Sequence, residues 1–193
     1  MFLSPSTFIF KTLEVALATI KAAVAALERY GGFDPKRCRT ISRALIDNGV
    51  IPMGAPGMAQ VLSVEEFLFF LETVAFDPLL REARETAARA QLLVPAGVDL
   101  TGAPASIPRT AHEALLVEAE MALVGLGAQR AVTTARFEFV HNWPEIAIHH
   151  SGRVARFVEP GASPHTWQVR GRRTATTVSG GAFVDMIRAL FQR

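Results

Sequence analysis

Asp34-Pro35 and Asn48-Gly49 bracket the stretch that most constrains how this chain can fold. Asp is a strong N-cap, and proline suits the first helical position, where its missing N–H is no loss. Asn and Gly tolerate the left-handed backbone that closes a helix. Between these signals Ile41, Leu45 and Ile46 recur at helical spacing, while Lys36, Arg37, Arg39, Thr40 and Arg43 occupy the remaining faces. The spacing predicts a short amphipathic helix with a basic outer surface. Val50-Ile51-Pro52 then reads as extended, and the Gly- and Pro-rich residues 53–58 as a loop. Ser63 and Glu66 form a capping box that opens an apolar helix through Phe67, Leu68, Phe70, Leu71 and Val74.

The flanking segments follow the same logic. Residues 6–30 read as one long amphipathic helix suited to packing or self-association, with Phe8, Ile9, Leu13, Leu17, Ile20, Val24 and Leu27 as its stripe and Gly31-Gly32 as its stop. Asp77-Pro78 reads as a second N-cap and first-turn pair, opening a helical pattern to Leu93 or continuing the previous helix with a bend. Residues 94–108 carry three prolines and two glycines, the composition of a linker. A helix is expected over 109–125. Strands are expected at 131–140, where polar and apolar residues alternate, at 146–150, at 153–158 after a Ser151-Gly152 turn, and within 166–178. A helix over 181–191 closes the chain. The expected class is α+β: an all-α unit at 1–93, a linker at 94–108, and an antiparallel sheet with packing helices at 109–193.

The 193 residues are half hydrophobic, enough to bury a sizeable core. No apolar run reaches membrane-spanning length, since the best candidate, 8–27, is broken by Lys11, Glu14 and Lys21. The N-terminus also lacks the charge pattern of a signal peptide, so a cytoplasmic protein without membrane contact is expected. The single cysteine, Cys38, rules out an internal disulfide and fits a reducing compartment. Formal net charge is only +2, although 17 of the 20 basic residues are arginine.

The order of helix, Gly49-Val50-Ile51-Pro52, glycine-proline loop and Ser63-capped helix resembles the winged helix-turn-helix of the mercury-resistance regulator (MerR) family, over residues 31–76. The resemblance implies that the basic helix meets duplex DNA and that the loop acts as a wing. Where that family carries arginine-tyrosine in the wing, this chain has Ala59, Gln60 and Val61. The expected DNA contacts are Lys36, Arg37, Arg39, Thr40, Ser42, Arg43 and Gln60. The same basic surface also fits a solvated helix face. A second basic group, Arg153, Arg156, Arg170, Arg172 and Arg173, suits phosphates, an acidic protein partner or simply a solvent-facing sheet.

Catalytic signals are sparse. His149 and His150 are adjacent on a strand and must point to opposite faces. His112, His141 and His165 lack partners at zinc-ligand spacing, and Cys38, near Arg37 and Arg39, lacks a paired histidine in the sequence. No phosphate loop or serine elbow occurs. The expectation is a non-enzymatic DNA-binding homo-oligomer without cofactor or metal, its C-terminal part available to a protein partner. The overall layout is similar to phage small terminase subunits, and a transcriptional regulator fits equally. The alternative is a structural or interaction protein that uses the winged-helix shape for protein contacts.

Overall fold

The computed structural model describes residues 17–54, 57–104, 106–165 and 171–192. Strand β1 (Ala18–Thr19) leads directly into helix α1 (Ile20–Gly31), whose N-cap is Thr19, its side chain accepting from the Ala22 amide. The long helix expected over 6–30 therefore begins only at Ile20. The threonine hydroxyl caps the chain there, and Leu17–Thr19 are not helical; residues 6–16 lie outside the described residues. Helix α2 (Pro35–Asp47) has the boundaries that its caps dictate, with the Asp34 carboxylate accepting from the Lys36 amide. Strand β2 (Val61–Leu62) returns to pair antiparallel with β1.

Helix α3 (Val64–Phe76) opens with the expected reciprocal capping box of Ser63 and Glu66. It is apolar on nearly every side and is buried from Phe67 to Phe76 apart from Phe69, as a helix without a polar face must be. Asp77 closes α3 in the left-handed conformation (φ 46°) instead of opening the next helix. A 3₁₀ turn at Leu80–Glu82 and helix α4 (Ala83–Ala90) follow.

Residues 94–108 do not separate two cores. Strand β3 (Val94–Pro95) forms one edge of the main sheet, and the Ala111 amide donates to the Leu93 carbonyl. Helix α5 (Ala111–Val124), capped by Thr110, matches the expected helix. The alternation over 131–140 misleads, because Leu126–Thr133 is helix α6 and only Arg136–Val140 is strand β4. Gly125 (φ 148°) breaks the chain between α5 and α6, and the buried Val132 anchors α6.

Strands β5 (Glu145–His150) and β6 (Arg153–Val158) flank the predicted Ser151-Gly152 turn. Both turn residues have positive φ, 30° and 85°, as a two-residue hairpin requires. Strand β7 (Ala175–Ser179) falls at the end of the 166–178 stretch in which one or two strands were expected, and 166–170 lie outside the described residues. Helix α7 (Gly180–Phe191) ends the chain.

The five-stranded sheet runs β3-β6-β5-β4-β7, antiparallel throughout. One face carries Phe137, Phe139, Ile146, Ile148, Phe157 and Val178 into the core. Helices α3 and α7 lie on that face, and α1 packs on α7. Ring pairs tie the halves together: Phe67 meets Phe191 edge-on at 5.9 Å, and Phe76 meets Phe139 at 5.9 Å. A single hydrophobic cluster runs from Ala18 to Phe191. Among the described residues no helix is long and apolar enough to cross a membrane.

Candidate nucleic-acid interface

Helix α2 buries Cys38, Ile41, Ser42 and Leu45 and turns Lys36, Arg39, Thr40 and Arg43 outward. Residues 36, 39/40 and 43 recur at one-turn intervals, so their side chains share one surface. Lys36, Arg39 and Arg43 form no ion pair among the described residues, whereas Arg37 does. Its Nε donates to Asp77 Oδ1 at 3.0 Å, and its Nη2 donates to the Pro78 carbonyl. Arg37 thus ties α2 to the end of α3 and holds Asp77 in its left-handed cap. The expectation that Arg37 contacts DNA is replaced by this internal bond. Ser42, also an expected contact, is 3% exposed and donates to the Arg39 carbonyl. Thr40 stays at the surface with its hydroxyl on the Lys36 carbonyl.

Beside α2 lies a groove of about 380 Å³, with Ile20, Val24 and Ile46 among its apolar lining and Lys21, Arg39 and Arg43 as its cations. Glu28 is the acid among its described lining residues. Gln60 reaches this groove but spends its side-chain amide on the Pro52 carbonyl, closing the base of the loop. Its own carbonyl accepts from the Ile20 amide at 3.2 Å. Gln60 thereby positions the loop against α1 in place of offering a free donor.

The second basic group divides in the same way. Arg173 donates to Glu138 and, at 3.0 Å, to Glu145, while Arg156 donates to Glu145 at 2.6 Å. Both arginines are therefore internal partners. Arg153 and Arg172 are exposed, and Arg170 lies outside the described residues. Burial pushes the Glu138 carboxyl up, but the hydrogen bonds of Arg173 and His149 and the Arg173 charge outweigh it and hold it below the ordinary carboxylate value.

Cys38 lies under the basic face, not on it. It is 0% exposed, and burial, reinforced by the Asp34 charge, pushes its thiol up to about 11. The Arg39 charge lowers it too little to offset burial, so the thiol stays protonated at neutral pH.

Three histidines find carboxylate partners far away in sequence, which sequence spacing had hidden. His112 Nδ1 lies 2.7 Å from Glu72, His149 Nε2 lies 3.0 Å from Glu138 and His150 Nε2 lies 2.8 Å from Glu118. His149 and His150 do point to opposite faces. His112 also stacks on Phe69, ring centroids 4.1 Å apart. No group of three potential metal ligands occurs among the described residues.

Burial raises the Glu72 carboxyl above its ordinary value, more than hydrogen bonds from His112 and Gln91 and the His112 charge lower it. A raised carboxyl favours the protonated fold, so its stabilising contribution is full below the ordinary value and is lost as pH rises through the folded value. Glu72→Gln cannot ionise and keeps an acceptor for His112. Its melting temperature relative to wild type should therefore rise with pH from the acid range, where Glu72 is protonated in both states, toward neutrality. Thermal denaturation across that range checks this, and a constant difference contradicts it.

Comparison with family models, curated proteins and solved structures finds no match for the chain.

Proposed function

We propose that the protein is a non-enzymatic duplex-DNA-binding protein whose contact surface is the outward face of α2. One observation carries the reading: Lys36, Arg39 and Arg43 share that face without a carboxylate partner among the described residues, while Arg37 of the same helix is taken by Asp77. Three exposed cations on one face without an ion pair among the described residues suit contacts to phosphate oxygens, whereas a face stabilised by ion pairs would pair them. Lys21, across the adjoining groove, adds a fourth. The sequence of α2, Gly49, loop and capped α3 agrees with the winged helix-turn-helix resemblance, and the β1–β2 ribbon fixes the base of the loop.

Arg39→Ala combined with Arg43→Ala tests it. Removing two phosphate contacts should lower the slope of log affinity against log salt by about 2 and weaken duplex binding by at least about tenfold at moderate salt. Fluorescence anisotropy with a labelled duplex measures both quantities. Failure of the wild type to bind any duplex at low salt removes the proposal. A solution mass then separates a ring, which suits a small-terminase-like packaging subunit, from a dimer, which suits a regulator.

The net charge of +2 favours a second reading, a structural or interaction protein that uses the same helical unit for protein contacts. On that reading the double variant leaves DNA retention at the level of any neutral protein.

A further inference from the structure

Away from α2, the ends of β4, β5 and β6 enclose an open pocket of about 320 Å³, lined by Thr134, Arg136, His149, Ser151, Arg153 and neighbouring turn residues. Its architecture follows from the tight turn. Two positive-φ residues, Ser151 and Gly152, set Arg153 directly opposite His150, and the next ladder sets His149 directly opposite Arg136. Strand alternation brings Arg136 and His149 to the pocket from one sheet face, and His150 and Arg153 from the other.

The charges behind the pocket are already matched. Glu138 and Glu145 are engaged by Arg173 and Arg156. His149 then links that network to Arg136, with Nε2 3.0 Å from Glu138 Oε2 and Nδ1 3.1 Å from Arg136 Nη2. A guanidinium only donates, so in this contact Nδ1 is the acceptor and Nε2 faces Glu138. Arg136 is thus oriented by a ring nitrogen, and its guanidinium stays charged. It forms no ion pair among the described residues, and neither does the exposed Arg153. On the opposite face Glu118 is bonded to His150 at 2.8 Å.

An arginine held by a histidine, a second arginine without an ion pair among the described residues at the start of β6, and the Ser151 hydroxyl make a cationic recess open to solvent, while the Thr134 hydroxyl donates to the Ala131 carbonyl. Planar guanidinium forks match the oxygens of a phosphate, and the shallow mouth suits a tetrahedral group with a substituent leading outward. We propose that this pocket is a phosphate-binding site, independent of the α2 surface. The phosphate is either that of a small phosphomonoester or a backbone phosphate of nucleic acid.

Titration of the full chain with inorganic phosphate at constant ionic strength, followed by NMR at the Gly152 amide and the His149 ring, tests it. Saturable shifts at both are expected. Arg136→Gln and Arg153→Gln should each weaken the binding by about tenfold, the loss expected for one charge-assisted hydrogen bond. Arg39→Ala with Arg43→Ala should leave it unchanged, which separates this site from the DNA surface. Displacement of phosphate by a short duplex assigns the site to nucleic-acid backbone, and displacement by a phosphomonoester alone assigns it to a small ligand. Absence of saturable shifts at tens of millimolar phosphate overturns the proposal, as does undiminished binding by the Arg136→Gln/Arg153→Gln pair.

Discussion

Replacing Gly180 by alanine should destabilise the protein by about 3 kcal/mol or more, while the same change one residue later, at Gly181, should be neutral or slightly stabilising. Gly180 is the first residue of α7, and its amide donates to the Ala135 carbonyl at 2.8 Å where α6 meets β4. A methyl group there would sit 1.9 Å from the Val132 carbonyl oxygen, 2.8 Å from that of Ala135 and 2.9 Å from the Ala135 nitrogen. All three are backbone atoms, so no rotamer change relieves the clash. Either α7 backs away from the sheet, breaking the Phe137–Phe183 ring contact at 4.5 Å, or the α6–β4 junction shifts. A methyl at Gly181 meets nothing within 4 Å and gains helix propensity. Urea denaturation of the two variants side by side measures the contrast; equal stabilities would show that the junction yields freely. Because α7 also supports α1, Gly180→Ala should loosen the groove beside α2.

The second large effect belongs to Glu145, which is fully buried and accepts from Arg156 at 2.6 Å and Arg173 at 3.0 Å through the same oxygen. Glu145→Ala strips both guanidiniums of this partner at a fully buried position. Breaking a buried pair by deleting one member costs about 3–5 kcal/mol. Arg156 keeps 29% exposure and Arg173 retains Glu138, so a loss of about 2–3 kcal/mol is expected here. Arg156→Ala should cost less, since Glu145 keeps Arg173, and the double variant should recover part of the sum. Chemical denaturation of all three variants gives the coupling energy. Additive effects would mean that the two groups do not interact.

Much of the helical framework was legible because capping is local. Asp34 bonds an amide two residues on, and Ser63 and Glu66 bond each other across three. The β5–β6 hairpin was equally legible from Ser151-Gly152. The errors fell where two local patterns competed. Residues 131–140 alternate like a strand, yet 131–133 belong to α6 and only Arg136–Val140 is strand, because the buried Val132 and the break at Gly125 suit a helix there. Asp77-Pro78 carries a helix-start signal, yet Asp77 ends α3, because Arg37 binds both Asp77 and the Pro78 carbonyl.

The candidate site divided along the same line. From the sequence alone came the position of α2, the pattern of its basic face and the fact that His149 and His150 oppose each other, since each depends on neighbours within a turn or a strand repeat. Only the tertiary structure sorted the cations into those with ion-pair partners and those without one among the described residues. Arg37 meets Asp77, and His112 meets Glu72, across 40 positions of sequence each. A charge is neutralised by whatever the fold brings beside it, and sequence spacing carries no record of that distance.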